Sequence, residues 1–236
     1  MILELLFQLK QGVPFREILP GILFTIIVVV FSLSLHEMCH AFAAYKMGDH
    51  TARNLGRMTL NPQKHLDFFG TLSMMLFGFG WAKPVPINSR NFKKPRAGII
   101  VTSVAGPLSN LLLSFVALLL FALAVTFLDP PVAITSDIGF LGKLSYFLVE
   151  LLKYFHILNL YLAVFNLLPI PPLDGSKILF MLLPYRAYAF ASKYEHIIKI
   201  VLLVLLFMGY LSTPISIICD YISRGMLWVI GLIPGI

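Results

Sequence analysis

Long apolar runs separated by short, basic loops dominate this chain. Four of them, residues 20–46, 97–128, 141–168 and 195–212, are long enough to cross about 30 Å of hydrocarbon as helices rising about 1.5 Å per residue. A fifth, 214–234, is apolar but interrupted by Asp220 and Arg224, and reads either as a span or as a helix lying flat. The N-terminal stretch 1–18 carries Leu and Phe at helical spacing but is too short to cross, so it reads as an interfacial helix. Between the first two long runs the pattern breaks. "ARNLGRMTLNP", residues 52–62, and the apolar stretch after it, cut by Gly70, Gly78, Gly80, Pro84 and Pro86, read as strands and a re-entrant segment within 52–90. The expected fold is an all-α polytopic membrane protein with a short β-hairpin or re-entrant segment between its first two long spans, the whole of 1–236 forming one membrane-embedded domain.

Composition agrees with that reading. Of 236 residues, 58% are hydrophobic and 12% charged, and the mean hydropathy of +0.88 excludes an ordinary soluble domain. The net charge of +7 does not point to nucleic acid, because the basic residues gather in loops, where they set topology and meet anionic lipid. Nine of the chain's 18 Lys and Arg fall between Lys46 and Arg96, which puts that segment on the cytoplasmic side. Counting spans onward, the loop around Asp129 and Asp137 lies outside, and the loop with Asp174, Lys177, Arg186 and Lys193 returns to the cytoplasmic side. Cys39 and Cys219 sit in apolar surroundings and imply no disulfide framework. The first long run has no small-residue cleavage site, which argues against a cleavable signal peptide.

That first run carries ionisable groups that are costly at membrane depth and therefore mark function. His36, Glu37 and His40 form H-E-x-x-H. Histidines four apart share one helix face and reach one zinc ion, with the glutamate poised as general base over its water. Chance predicts on the order of 0.003 such matches in this composition, so the motif is specific. Zinc enzymes use three protein ligands. Glu150 and Asp129 fall toward the outer side by the loop count, whereas Asp174, in "FNLLPIPPLDGSKIL", emerges on the same side as the histidines. Pro169, Pro171 and Pro172 end the incoming helix and Gly175 permits a tight backbone. Capping of a short helix near Ser176 is the alternative role for Asp174.

These residues resemble the site-2 protease family of intramembrane zinc metalloproteases. Its H-E-x-x-H matches His36, Glu37 and His40; its N-x-x-P-x-x-x-x-D-G matches Asn166, Pro169, Asp174 and Gly175; its G-P-x-x-N matches Gly106, Pro107 and Asn110. The similarity runs over roughly residues 20–210. It implies a core of three transmembrane helices holding one Zn2+, with His36, His40 and Asp174 as ligands and Glu37 as catalytic base. Asn110 and Asn166 are implied to hold substrate or polarise its carbonyl, though each could simply satisfy a neighbouring helix. The implied reaction is cleavage of single-pass transmembrane proteins within the bilayer or at its cytoplasmic edge, in a prokaryotic cell membrane. The length leaves no room for the PDZ or CBS domains many relatives carry. The alternatives are a non-catalytic scaffold of the same fold, which Glu37 argues against, and an ion transporter, for which no repeat halves are evident. His65 and Asp67 read as a polar interfacial loop in preference to a second metal site, and Glu150, Lys153 and His156 as a mutually satisfied stripe. Cys39 reads as a small buried hydrophobe.

Overall fold

The structure is a computed structural model and describes residues 2–77, 80–131, 138–184 and 193–235. Gly78, Asp137 and Arg186 lie outside the described residues. The helices are α1 (Ile2–Lys10), α2 (Phe15–Met47), α3 (Thr51–Asn54), α4 (Phe68–Phe77), α5 (Pro95–Leu128), α6 (Phe140–Leu167), α7 (Asp174–Leu182), α8 (Glu195–Phe207) and α9 (Ser212–Ile230). Three of them, α2, α5 and α6, are long and apolar enough to cross a membrane. Helix α5 packs against both α2 and α6, α7 folds back onto α5 and α6, and α9 lies on α6.

Where these helices meet, small residues dominate. Ser32, Ala41, Ala44, Ser114, Ala117 and Ala163 are buried, and they let backbones approach closely where lipid supplies no hydrophobic drive. Large apolar side chains such as Leu108, Leu112, Phe127 and Leu144 point outward. A bilayer covers such a surface; water does not.

Helix α2 ends in a Schellman motif: Gly48 adopts φ 110°, its N–H donates to Tyr45 O (3.1 Å), and the Asp49 N–H donates to Ala44 O (2.9 Å). The same device shortens the fourth expected span. Gly209, at φ 76°, donates to Leu206 O while Tyr210 donates to Leu205 O. Helix α8 thus has 13 residues, about 20 Å of rise, and 195–212 is not one continuous helix. The last run forms the 19-residue α9.

The β-hairpin expected within 52–90 is not there; the described residues contain no strand. Residues 51–54 form α3, closed by Gly56 at φ 66°, and Asn61 and Asp67 accept from the backbone N–H groups of Gln63 (3.1 Å) and Gly70 (2.8 Å) as local caps. Residues 80–88 have no regular secondary structure, and several of their hydrogen-bonding groups are committed elsewhere. Pro84 and Pro86 have no N–H. Lys83 N–H donates to His65 O (2.7 Å), Val85 N–H to Glu37 Oε2 (3.0 Å) and Asn88 N–H to Asp49 Oδ2 (2.7 Å), while Arg57 donates to the carbonyls of Lys83 (2.6 Å) and Pro84 (3.2 Å). Scattered partners, most of them side chains, take the place of a neighbouring strand. A Cβ on Gly70 or Gly80 would lie 2.0 Å from a backbone oxygen, so α4 and the segment that follows it touch through their glycines.

Asp49 anchors this segment to the end of α2. Fully buried, it also accepts from Thr51 N–H (3.1 Å), Thr51 Oγ (2.5 Å) and Asn91 Nδ2 (2.9 Å). Burial alone would raise its carboxyl, but these donors outweigh it and hold the pKa below the ordinary carboxylate value. Asp49→Ala is expected to destabilise the protein by about 2 kcal/mol, read as a lower melting temperature in detergent. Because the folded pKa is the lower one, the contribution is present above the unfolded value of about 3.9 and fades as pH falls through the folded value. The gap between wild type and variant should therefore narrow below about pH 4.

Candidate metal centre

Helix α2 sets His36 and His40 one turn apart, with their Nε2 atoms 3.0 Å from each other. Asp174 Oδ2 lies 3.2 Å from the first and 3.1 Å from the second. A tetrahedral ion with bonds of about 2.0–2.1 Å places its ligand atoms about 3.3 Å apart. The three separations match that edge, and all three side chains are buried.

Asp174 arrives from 134 residues beyond His40. Helix α6 stops at Leu167, the proline-rich turn reverses the chain, and α7 starts at Asp174 itself, with Leu173 in the cap position. The capping alternative therefore does not describe it. Gly175 lets this start sit against the end of α6, since a Cβ there would lie 2.2 Å from Leu167 O. Lys177 Nζ donates to Asp174 Oδ1 (2.9 Å), leaving Oδ2 to the imidazoles.

Helix α5 closes the other side. A Cβ on Gly106 would come within 2.5 Å of His40 Nε2 and 2.6 Å of His36 Nε2, so the missing side chain leaves the space between the ligand atoms and α5. One turn before Gly106 on α5, the carbonyl of Thr102 accepts from His40 Nδ1 (2.7 Å). Asn110 Oδ1 meets His36 Nδ1 (2.5 Å). Both imidazoles are gripped at Nδ1 and present Nε2 to the same point, the donor arrangement zinc takes with its outer partners in place. Glu37 is buried beside them, its Oε2 held by the Val85 N–H.

The structure thus brings His36, Glu37, His40, Asp174 and Asn110 together. Asn166 is half-buried and donates Nδ2 to Leu162 O (2.9 Å) one turn back along α6. His65 is buried and bonded to Thr59 O (2.6 Å), and burial together with Arg57 keeps its pKa below the ordinary histidine value. With Asp67 capping α4, neither joins a metal group among the described residues. Glu150 pairs with Lys153 (2.5 Å), but His156 leaves that stripe to bond Ser114 (2.8 Å) and Ser223 (2.9 Å), tying α5, α6 and α9. Cys39 is half-buried. Sequence reasoning missed Thr102, Val85 and Asn159, whose Oδ1 accepts from Asn110 Nδ2 (2.7 Å). The signal for Asn159 was its position seven residues before Asn166, a second amide in an apolar span.

Comparison with known proteins agrees with the site. Residues 24–209 match peptidase family M50. The chain is 42% identical over 194 residues to "Putative zinc metalloprotease YwhC" of Bacillus subtilis (strain 168), covering 81% of this chain and 84% of that one. It is 36% identical over 184 residues to "Putative zinc metalloprotease Rip2" of Mycolicibacterium smegmatis, covering 74% of this chain and 64% of that one. It is 30% identical over 164 residues to "Putative zinc metalloprotease MJ0611" of Methanocaldococcus jannaschii, covering 66% and 72%. No solved structure matches. With its H-E-x-x-H and distant aspartate converged on one point between membrane-length helices, the chain belongs to peptidase family M50, the site-2 protease family.

Proposed function

We propose that this protein is an intramembrane zinc metalloprotease that hydrolyses peptide bonds of single-pass transmembrane proteins, within the bilayer or at its cytoplasmic edge, in a prokaryotic cell membrane. The observation that carries the proposal is the convergence of Asp174 Oδ2 on two imidazole nitrogens from α2, within 3.2 Å of each. Depth supports the intramembrane part. His36 lies 11 residues before the end of α2, about 16 Å along the helix axis, so the site is sunk well below the helix ends.

His36, His40 and Asp174 would hold one Zn2+, which would supply Lewis acidity at that point. The chain's own groups do the rest. Glu37 takes the proton of the attacking water on its carboxylate and returns it to the departing amine. The Val85 N–H keeps that carboxylate from swinging away. Asn166 has a second amide N–H for the substrate carbonyl, whereas Asn110, fully buried with both amide ends engaged, serves His36.

The test is zinc content together with cleavage of a tagged transmembrane substrate in proteoliposomes. Purified protein is expected to carry about one zinc per chain, to lose cleavage on chelation and to regain it on zinc return. A protein that cleaves fully after its metal is stripped would refute the reading.

A further inference from the structure

Three hydrogen bonds run from His36 into the bundle, and their direction is set at the far end. Asn159 Nδ2 donates to Phe155 O (2.8 Å), and a backbone carbonyl can only accept. The amide of Asn159 must therefore turn its oxygen the other way, where it accepts from Asn110 Nδ2 (2.7 Å). That in turn points the oxygen of Asn110 at His36 Nδ1 (2.5 Å). An amide oxygen has no proton to give, so in the neutral ring the proton lies on His36 Nδ1 and Nε2 keeps its lone pair toward Asp174 and His40. His40 reaches the same state by a shorter route, through Thr102 O (2.7 Å).

We infer that Asn159 is a positioning residue for the metal centre: through Asn110 it locks His36 in the tautomer that can ligate. Both asparagines are fully buried, so no water substitutes for a lost link. Without Asn159, the Asn110 amide is free to flip and present Nδ2 to the ring, which would force the proton onto Nε2 and blind the ligand atom. Helix α6 then does two things for the site: it leads into Asp174, and 15 residues earlier it orients the imidazole opposite. The inference rests on the zinc reading above.

The test uses the full chain in detergent, with zinc affinity read by competition against a fluorescent chelator, and the visible spectrum of the cobalt-substituted protein read alongside. Asn159→Leu is expected to weaken zinc binding about 10–100-fold and to alter the cobalt spectrum. In an Asn110→Ala background the relay is already cut, so Asn159→Leu is expected to add nothing further to the loss of zinc affinity. Asn159→Leu that lowers the melting temperature of the metal-free protein but binds zinc as wild type does would reduce Asn159 to a packing residue and overturn the relay alone. Wild-type protein that binds no zinc would overturn both the relay and the metal reading beneath it.

Discussion

Glu37→Gln is expected to retain zinc and to lose peptide cleavage by about 1,000-fold or more. The substitution is nearly isosteric and leaves His36, His40 and Asp174 untouched, so the metal stays. A glutamine amide can still meet the Val85 N–H through its oxygen, so the local fold stays as well. What disappears is the one group beside the ligands able to accept a proton from water and deliver it to an amine. Zinc by elemental analysis and turnover of a tagged transmembrane substrate, measured on the same preparation, check both halves. A zinc-loaded Glu37→Gln protein with wild-type turnover would remove Glu37 from the chemistry.

Gly106→Ala is expected to be nearly as severe by a different route. One methyl group at this position stands 2.5–2.6 Å from both Nε2 atoms, well inside contact distance, on a helix backbone that α2 and α6 hold from two sides. Either the methyl group occupies the space the ion needs or α5 backs away and takes the partners of both imidazoles, Thr102 and Asn110, with it. Both outcomes disable zinc binding while leaving the three long helices formed. The expected result is loss of stoichiometric zinc and of cleavage, with helix content by circular dichroism unchanged. Retention of zinc at wild-type affinity would mean the helices are not held as closely as the geometry requires.

The parts of this molecule that were legible in its sequence are those with a period or a length. Helices α2, α5 and α6 stood out because uninterrupted apolar runs of their length have few alternatives, and their observed ends fall within a few residues of the expected ones. The histidine pair was legible because a four-residue step on a helix is a distance. Asp174 followed from counting sides of the membrane. Gly209 was passed over because it is a single small residue in a strongly apolar stretch, although its positive φ is what stops α8. The hairpin reading took Gly and Pro as turn markers without asking where the N–H groups of 80–88 would go; Glu37 and Asp49, far away in sequence, had already claimed two of them. Asn159 was passed over for a related reason. Its acceptor role depends on Asn110, 49 residues earlier, on a helix that meets it only in the folded bundle. Gly106 was flagged as a motif letter, but a side chain that is not there leaves no pattern to explain why.

The distance along the chain between the ligands has a thermodynamic side. Asp174 lies 138 residues from His36, and a bond across that separation closes a very large loop, the kind of cross-link that most restricts an unfolded chain. An ion at this point would be a brace as well as a reagent. It would fasten the short amphipathic α7 to α2, so that the piece of the site with the least membrane-spanning support would be secured by the very atom it helps to hold.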